Sequence, residues 1–327
     1  FADKPIKDKI LGKETLFPSL LPIGEPIKLI ANEIEFWYRL GYDYVPAAPA
    51  YGFGMKVNLA PDTAQASQGV RFWVNEEAGI IKTREDFEKY YWPDPDQFSL
   101  DIFDAFAEHL PEGMKVFGQT AGVLENVLWM VGHEGLSYMM ADDPELAQMI
   151  FDKVGKSLVR LVERMAEREF VGAIQMGDDL GFKTQTIISA KALRQYVFPW
   201  HKKMVEVAHK KGKPFIFHSC GNLEKVMEDI IGNGIDAKHS FEDEIMPVNK
   251  AKKLWGDKIA ILGGVDMDFL CRAGPEPVRD YTAKLIHELG PGGGWALGTG
   301  NSVANYIPVK NYLMMLKTGW ALGKYPI

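Results

Sequence analysis

Cysteine is nearly missing from this chain: 327 residues carry only Cys220 and Cys271. Two thiols cannot build a disulfide framework, so nothing in the chain signals an oxidising compartment. Long apolar runs are missing too. The most apolar stretches, such as NVLWMVG at 126–132, fall far short of the roughly 18 residues a membrane span needs. Basic residues are in deficit: 37 Lys and Arg against 44 Asp and Glu leave a net charge of −7. With no basic stripe to offset it, that charge would repel a phosphate backbone and excludes nucleic acid as the partner. No basic start, apolar centre and small-residue cleavage site marks a secretory leader. Glycine- and serine-rich linkers, low-complexity tracts and short internal repeats are likewise absent. The chain therefore reads as soluble and cytoplasmic, one domain over residues 1–327, with neither a membrane nor a nucleic acid as partner.

What is present is a series of short, continuously apolar segments that end in polar residues or glycine. They lie at 42–49, 114–120, 171–179, 213–221, 234–242, 258–266 and 293–301. Continuous rather than alternating apolar character suits strands buried on both faces of a parallel sheet. Helical patterns stand between them. Asp143-Pro144 opens one as cap and first-turn proline, and Leu146, Ile150, Val154, Leu158, Leu161, Val162 and Met165 then form one stripe. Another, carried by Leu223, Val226, Met227, Ile230 and Ile231, stops at Gly232. Strand–helix alternation predicts an α/β fold, a single (β/α)8 TIM barrel with seven strands placed and an eighth unplaced. The first strand–helix turn lacks a GxGxxG fingerprint, which argues against a dinucleotide-binding sheet. Residues about 50–100, aromatic and acidic and closing at WPDPD, read as an inserted, lid-like segment, whose Tyr51, Phe53, Phe72 and Trp73 are candidates to wall a pocket.

In such a barrel chemistry gathers at the C-terminal ends of the strands, and the unusual polar residues fall there. They are Gln119 and Thr120, Asp178 and Asp179, His218 and Cys220, His239 and Glu242, Asp266, and Thr299 with Asn301. His218 and Cys220 are two apart, so on a strand both point the same way. Three readings stay open: half of a zinc site, a buried histidine beside a cysteine acting as a small hydrophobe, or a base beside a nucleophile. Of the paired aspartates only one faces the mouth, since neighbours alternate. There it would serve as acid, base or substrate anchor; otherwise it caps the next helix. His239 is a further base or ligand, Cys271 a core residue, and His201 a surface or packing residue.

The segments GAIQMGDDLG, FPWHKKMVEVAHKKGKPFIFHSCGN, IAILGGVD, GGWALGTGNSVANYIPVKNYLMML and KTREDFEKYYWPDPD resemble the uroporphyrinogen decarboxylase superfamily. The likeness runs from about Ile30 onward and implies a barrel. Among residues 1–70 the only arginine is Arg39, a poor match to decarboxylases of an eight-carboxylate tetrapyrrole, which need many cationic partners. The closer likeness is to the cobamide-dependent methyltransferases, in which His-x-Cys and a later cysteine hold zinc. His218 and Cys220 match; Thr299-Gly300-Asn301 stands where the later cysteine belongs, leaving Glu242, Asp266 or His239 to complete the site. The resemblance implies a zinc-dependent methyltransferase moving a methyl group between a small substrate or thiol and a corrinoid on a partner protein. Its expected metal ligands are His218, Cys220 and Glu242. Asp178, Asp179, His239 and Asp266 are its expected catalytic groups, and Gln119, Thr299 and Asn301 its expected cofactor contacts. The alternatives are a metal-free carboxy-lyase using an aspartate at the mouth, and a non-catalytic corrinoid or tetrapyrrole binder.

Overall fold

A computed structural model describes residues 2–15, 26–49, 51–61, 70–74 and 79–325. Its strands are β1 (Tyr44–Ala47), β2 (Val57–Pro61), β3 (Val70–Val74), β4 (Lys115–Ala121), β5 (Val171–Gly177), β6 (Phe215–His218), β7 (Ala237–His239), β8 (Ala260–Leu262) and β9 (Trp295–Ala296). Seven of them pair in the order β1-β4-β5-β6-β7-β8-β9, every neighbour parallel. These are the seven segments expected from the sequence. The eighth is not found among the described residues, in which β9 and β1 do not pair, so what they show of the expected eight-stranded barrel is a curled sheet of seven strands. The sheet still curls round a single space: Tyr44, Phe117, Gln175, Ile216, Ala237, Ala260 and Ala296, one from each of the seven strands, line one cavity.

Alternation sorts the side chains of each strand between two environments. Val116, Ile174, Met176, Phe215, Phe217 and Ile261 join the main core with the helices. Ala173, Ile216 and Ala237 face inward and cluster with Phe117, Ala260 and Leu262.

The helix Pro144–Ala166 begins as its sequence requires, with the Asp143 carboxylate accepting the Leu146 amide and proline in the first turn. Its stripe from Leu146 to Met165 is buried against the outside of the sheet; truncating Leu158 to alanine there would cost about 2–5 kcal/mol. The expected helix after the His-x-Cys segment forms over Met227–Gly232, following a short 3-10 turn.

Within the stretch read as an insertion, β2 and β3 form an antiparallel ribbon. Tyr51 and Phe53 pack edge-on against Phe98 and Trp92, as part of the main core. The side chains of Phe72 and Trp73 lie outside the described residues. No helix among the described residues is long and apolar enough to cross a membrane.

Candidate functional site

The site is assembled where two strand-end loops, GDDLG after β5 and HSCGN after β6, are pressed together. Gly221 has φ +80°, a conformation that favours glycine, and a Cβ on it would lie 2.3 Å from the backbone of Gly181. The contact is held by the Leu180 amide donating to Ser219 Oγ at 3.0 Å and the Asn222 amide donating to the Phe182 carbonyl at 2.8 Å. In the same zipper the Cys220 amide donates to Asp179 Oδ1 at 2.8 Å. Strand β6 ends at His218, so this loop contact, rather than strand alternation alone, brings Cys220 back over the mouth.

Three donor atoms converge. Cys220 Sγ lies 3.5 Å from His218 Nε2, which lies 3.9 Å from Asp179 Oδ1, and all three fall within 4.8 Å of one another. Zinc bonds of roughly 2.0–2.3 Å at tetrahedral angles put neighbouring donors about 3.5 Å apart. An imidazole nitrogen, a thiol sulfur and a carboxylate oxygen at this spacing suit zinc, with a fourth position open.

The hydrogen-bond chain behind His218 prepares its nitrogen. The Thr299 carbonyl can only accept, so His239 Nε2, 2.9 Å away, carries the hydrogen. His239 Nδ1 is then an acceptor, and His218 Nδ1, 2.7 Å from it, donates. That leaves the lone pair of His218 on Nε2, facing Cys220 and Asp179. Burial holds both rings neutral: His218 is pushed well below the usual histidine range, and His239 down to about 4. Burial, helped by the Asp179 charge, pushes the Cys220 thiol up to about 12, so without a cation beside it the sulfur keeps its proton. Burial also raises the Asp179 carboxyl, against two hydrogen bonds from Cys220.

The other expected residues fall in three places. Asn301 reaches the site: its Nδ2 donates to Cys220 Sγ at 3.1 Å and to Glu242 Oε1 at 3.2 Å. Glu242 thus stands one step further out than the metal ligand it was expected to be, and Asp179 is the carboxylate beside the histidine and thiol. Thr299 contributes its carbonyl. Asp266, expected to be catalytic, caps the helix Met267–Arg272 by accepting the Phe269 amide at 2.8 Å. Asp178 turns away from the mouth. It accepts from the Leu124 and Glu125 amides and from His201 Nε2 at 3.1, 2.8 and 2.7 Å, so it caps the helix Val123–Val131 from another strand. His201 is no surface residue; its side chain is fully buried against Asp178. Gln119 lies deeper in the barrel, bonded to Gln175. Cys271 contacts the Tyr306 carbonyl, away from the donors.

Two buried groups had no signal in the sequence. Glu125 shares with Asp179 a cleft of ≈ 520 Å³. Burial and the charges of Asp178 and Asp179 push it up to about 9, so it is protonated at neutral pH. Lys238, on β7, is buried; its amine donates to the Ser219 and Ser240 carbonyls at 3.2 and 2.7 Å, over the Phe241 ring. Burial lowers it to about 7.

Residues 48–319 match the family model described as uroporphyrinogen decarboxylase (URO-D). A methylated-thiol–coenzyme M methyltransferase of Methanosarcina mazei is 30% identical over 129 residues, 39% of this chain and 32% of that protein. A uroporphyrinogen decarboxylase of Pseudomonas putida (strain W619) is 24% identical over 240 residues, 68% of this chain and 64% of that protein. The chain thus spans under two thirds of each of these relatives. Among solved structures, a methyltransferase from Methanosarcina mazei superposes with a TM-score of 0.70 at 15% identity, covering 98% of this chain and 91% of that one. That superposition fixes the fold as one this chain shares.

Proposed function

The chain belongs to the uroporphyrinogen decarboxylase family, and on that premise we propose that it is a zinc-dependent methyltransferase. It moves a methyl group between a small substrate or thiol and a corrinoid carried by a partner protein. The observation that carries this reading is the triangle of His218 Nε2, Cys220 Sγ and Asp179 Oδ1, with the histidine lone pair already turned inward. Zinc held there would supply a Lewis acid, ionising a substrate thiol at neutral pH or drawing charge from the atom that releases the methyl group. Asn301 fixes the Cys220 sulfur from the opposite loop and ties it to Glu242. Glu125, holding its proton, adds no second negative charge beside Asp179. The similarity to a methyltransferase acting on methylated thiols supports the same reaction class.

A metal-free carboxy-lyase using Asp179 is the second reading, favoured by the longer share of the chain that matches decarboxylases. Against it, the described residues lining the barrel cavity include no lysine or arginine to meet a carboxylated substrate.

The test is spectrophotometric. Zinc-loaded protein is mixed with reduced cobalamin and a panel of methylated thiols, methylamines and methoxy compounds. Formation of methylcobalamin with at least one donor, abolished in Cys220→Ala, supports the proposal. Turnover of uroporphyrinogen by chelator-treated protein, with no methyl transfer from any donor, would replace it with the lyase.

A further inference from the structure

The space inside the sheet, where barrels are ordinarily filled by layers of branched side chains, is hollow. Small residues hold inward positions, among them Ala237, Ala260 and Ala296. The cavity they leave measures ≈ 550 Å³ and runs from His218 and Asn301 at the mouth to Asp43 and Asp236 at the strand starts.

Its polar equipment is sparse and specific. In the ladder, Gly177 pairs with His218, and two residues earlier Gln175 pairs with Gln119 on one side and Ile216 on the other. The glutamines therefore lie one inward row beneath the histidine. Gln119 Nε2 donates to Gln175 Oε1 at 2.5 Å. That bond leaves Gln119 Oε1 and Gln175 Nε2 without partners among the described residues, although Gln119 is only 7% exposed. Exchanging oxygen and nitrogen in both amides reverses the roles but leaves the same offer, one acceptor beside one donor. Both unpaired atoms are open to the cavity, where a ligand or water can complete them.

Nearby, the rings of Tyr44 and Phe117 stack with centroids 3.9 Å apart and planes 7° from parallel. Both rings line the cavity, and the Tyr44 hydroxyl has no hydrogen-bond partner among the described residues. An anion entering this space would lose its water and find no lysine or arginine among the described residues of the walls and two aspartates at the far end.

We infer that the Gln119–Gln175 pair and the Tyr44–Phe117 wall form the subsite for the non-reacting body of the substrate. The ligand they fit is a neutral, planar molecule with a primary amide or hydroxyl that donates to one glutamine and accepts from the other. The inference gives the proposed methyl-transfer site its substrate class, and rests on that reading only for which end of the molecule reacts. A carboxylate is refused twice, by the acceptor it would face and by the absent counter-ion.

The test uses benzamide and benzoate as probes, with binding to the full chain measured by ligand-observed NMR. Wild-type protein is expected to bind benzamide at least about tenfold more tightly than benzoate, the worth of one well-made hydrogen bond before the missing counter-ion is counted. The double variant Gln119→Leu/Gln175→Leu is expected to bind benzamide about tenfold more weakly than wild type, narrowing the preference to what the absent counter-ion alone leaves. Should it fail to fold, Gln175→Met, which removes one amide alone, is expected to weaken benzamide several-fold and narrow the preference while keeping the wild-type circular dichroism. Equal affinity for the two probes, no benzamide binding at millimolar concentration, or a preference unchanged in the variants would overturn the subsite. Binding is read without methyl transfer. A chain that binds benzamide selectively but methylates no cobalamin contradicts the methyltransferase reading alone, and one that transfers methyl groups without this selectivity contradicts the subsite alone.

Discussion

His218 and His239 face each other through their Nδ1 atoms, 2.7 Å apart, on adjacent strands. The hydrogen between them belongs to His218, because His239 spends its own on the Thr299 carbonyl. His239, expected to be a base or a ligand, is on this geometry a positioning residue. His239→Ala should leave zinc-binding residues in place but release the His218 ring, weakening zinc by about 10–100-fold. Competition with a chromophoric chelator measures it; unchanged affinity would mean that the histidine pair does not set the ligand.

Asn301 Nδ2 sits 3.1 Å from the Cys220 sulfur, at the loop where the resemblance to zinc methyltransferases calls for a cysteine. Asn301→Cys should supply a further soft donor and tighten zinc roughly tenfold or more. The same competition assay checks this, and a weaker or equal affinity would show that the loop cannot turn a thiol inward.

Asp178 and His201, both fully buried, are a structural pair. Asp178→Ala strands the histidine and two helix amides together, and is expected to cost about 3–5 kcal/mol in denaturant unfolding. Zinc bound per folded molecule should not change. Loss of zinc without loss of stability would return Asp178 to the site.

Glu125 carries a pH signature. Its folded value is raised to about 9 from an ordinary 4.5. The associated stability is therefore fully present below pH 4.5 and lost as pH rises towards 9. In chelator-treated protein, Glu125→Gln should raise stability at pH 8 by roughly 1–3 kcal/mol over wild type and leave it unchanged at pH 4. Thermal melts at the two pH values decide, and an equal effect at both would mean that the carboxyl is already ionised in the folded protein.

Strand β6 was legible because Phe215, Ile216 and Phe217 are all buried, so side chains on both of its faces are apolar and the run is unbroken. The helix at Pro144 was legible because its cap is local: Asp143 bonds an amide three residues on. Asp178 and Asp179 show where local reading stops. Their alternation says that one faces inward, but which one depends on Leu124, Glu125 and His201, brought in from helices remote in sequence. Glu125 reads as an ordinary first-turn acid until β5 closes over it. Gln175 is legible as a polar residue inside an apolar strand, but only the register with Gln119 gives it a role. The eighth strand, not found among the described residues, has no apolar run to mark it in the sequence, and whether β9 meets β1 is a property of the assembled sheet.

The proposed function requires that His218, Cys220 and Asp179 together hold zinc. Elemental analysis of zinc-incubated, desalted protein tests it directly, with wild type beside His218→Ala, Cys220→Ala and Asp179→Asn. About one equivalent in wild type, lost in the first two variants and reduced in the third, is the predicted result. Wild-type protein that stays zinc-free, or variants that bind as much as wild type, would contradict it.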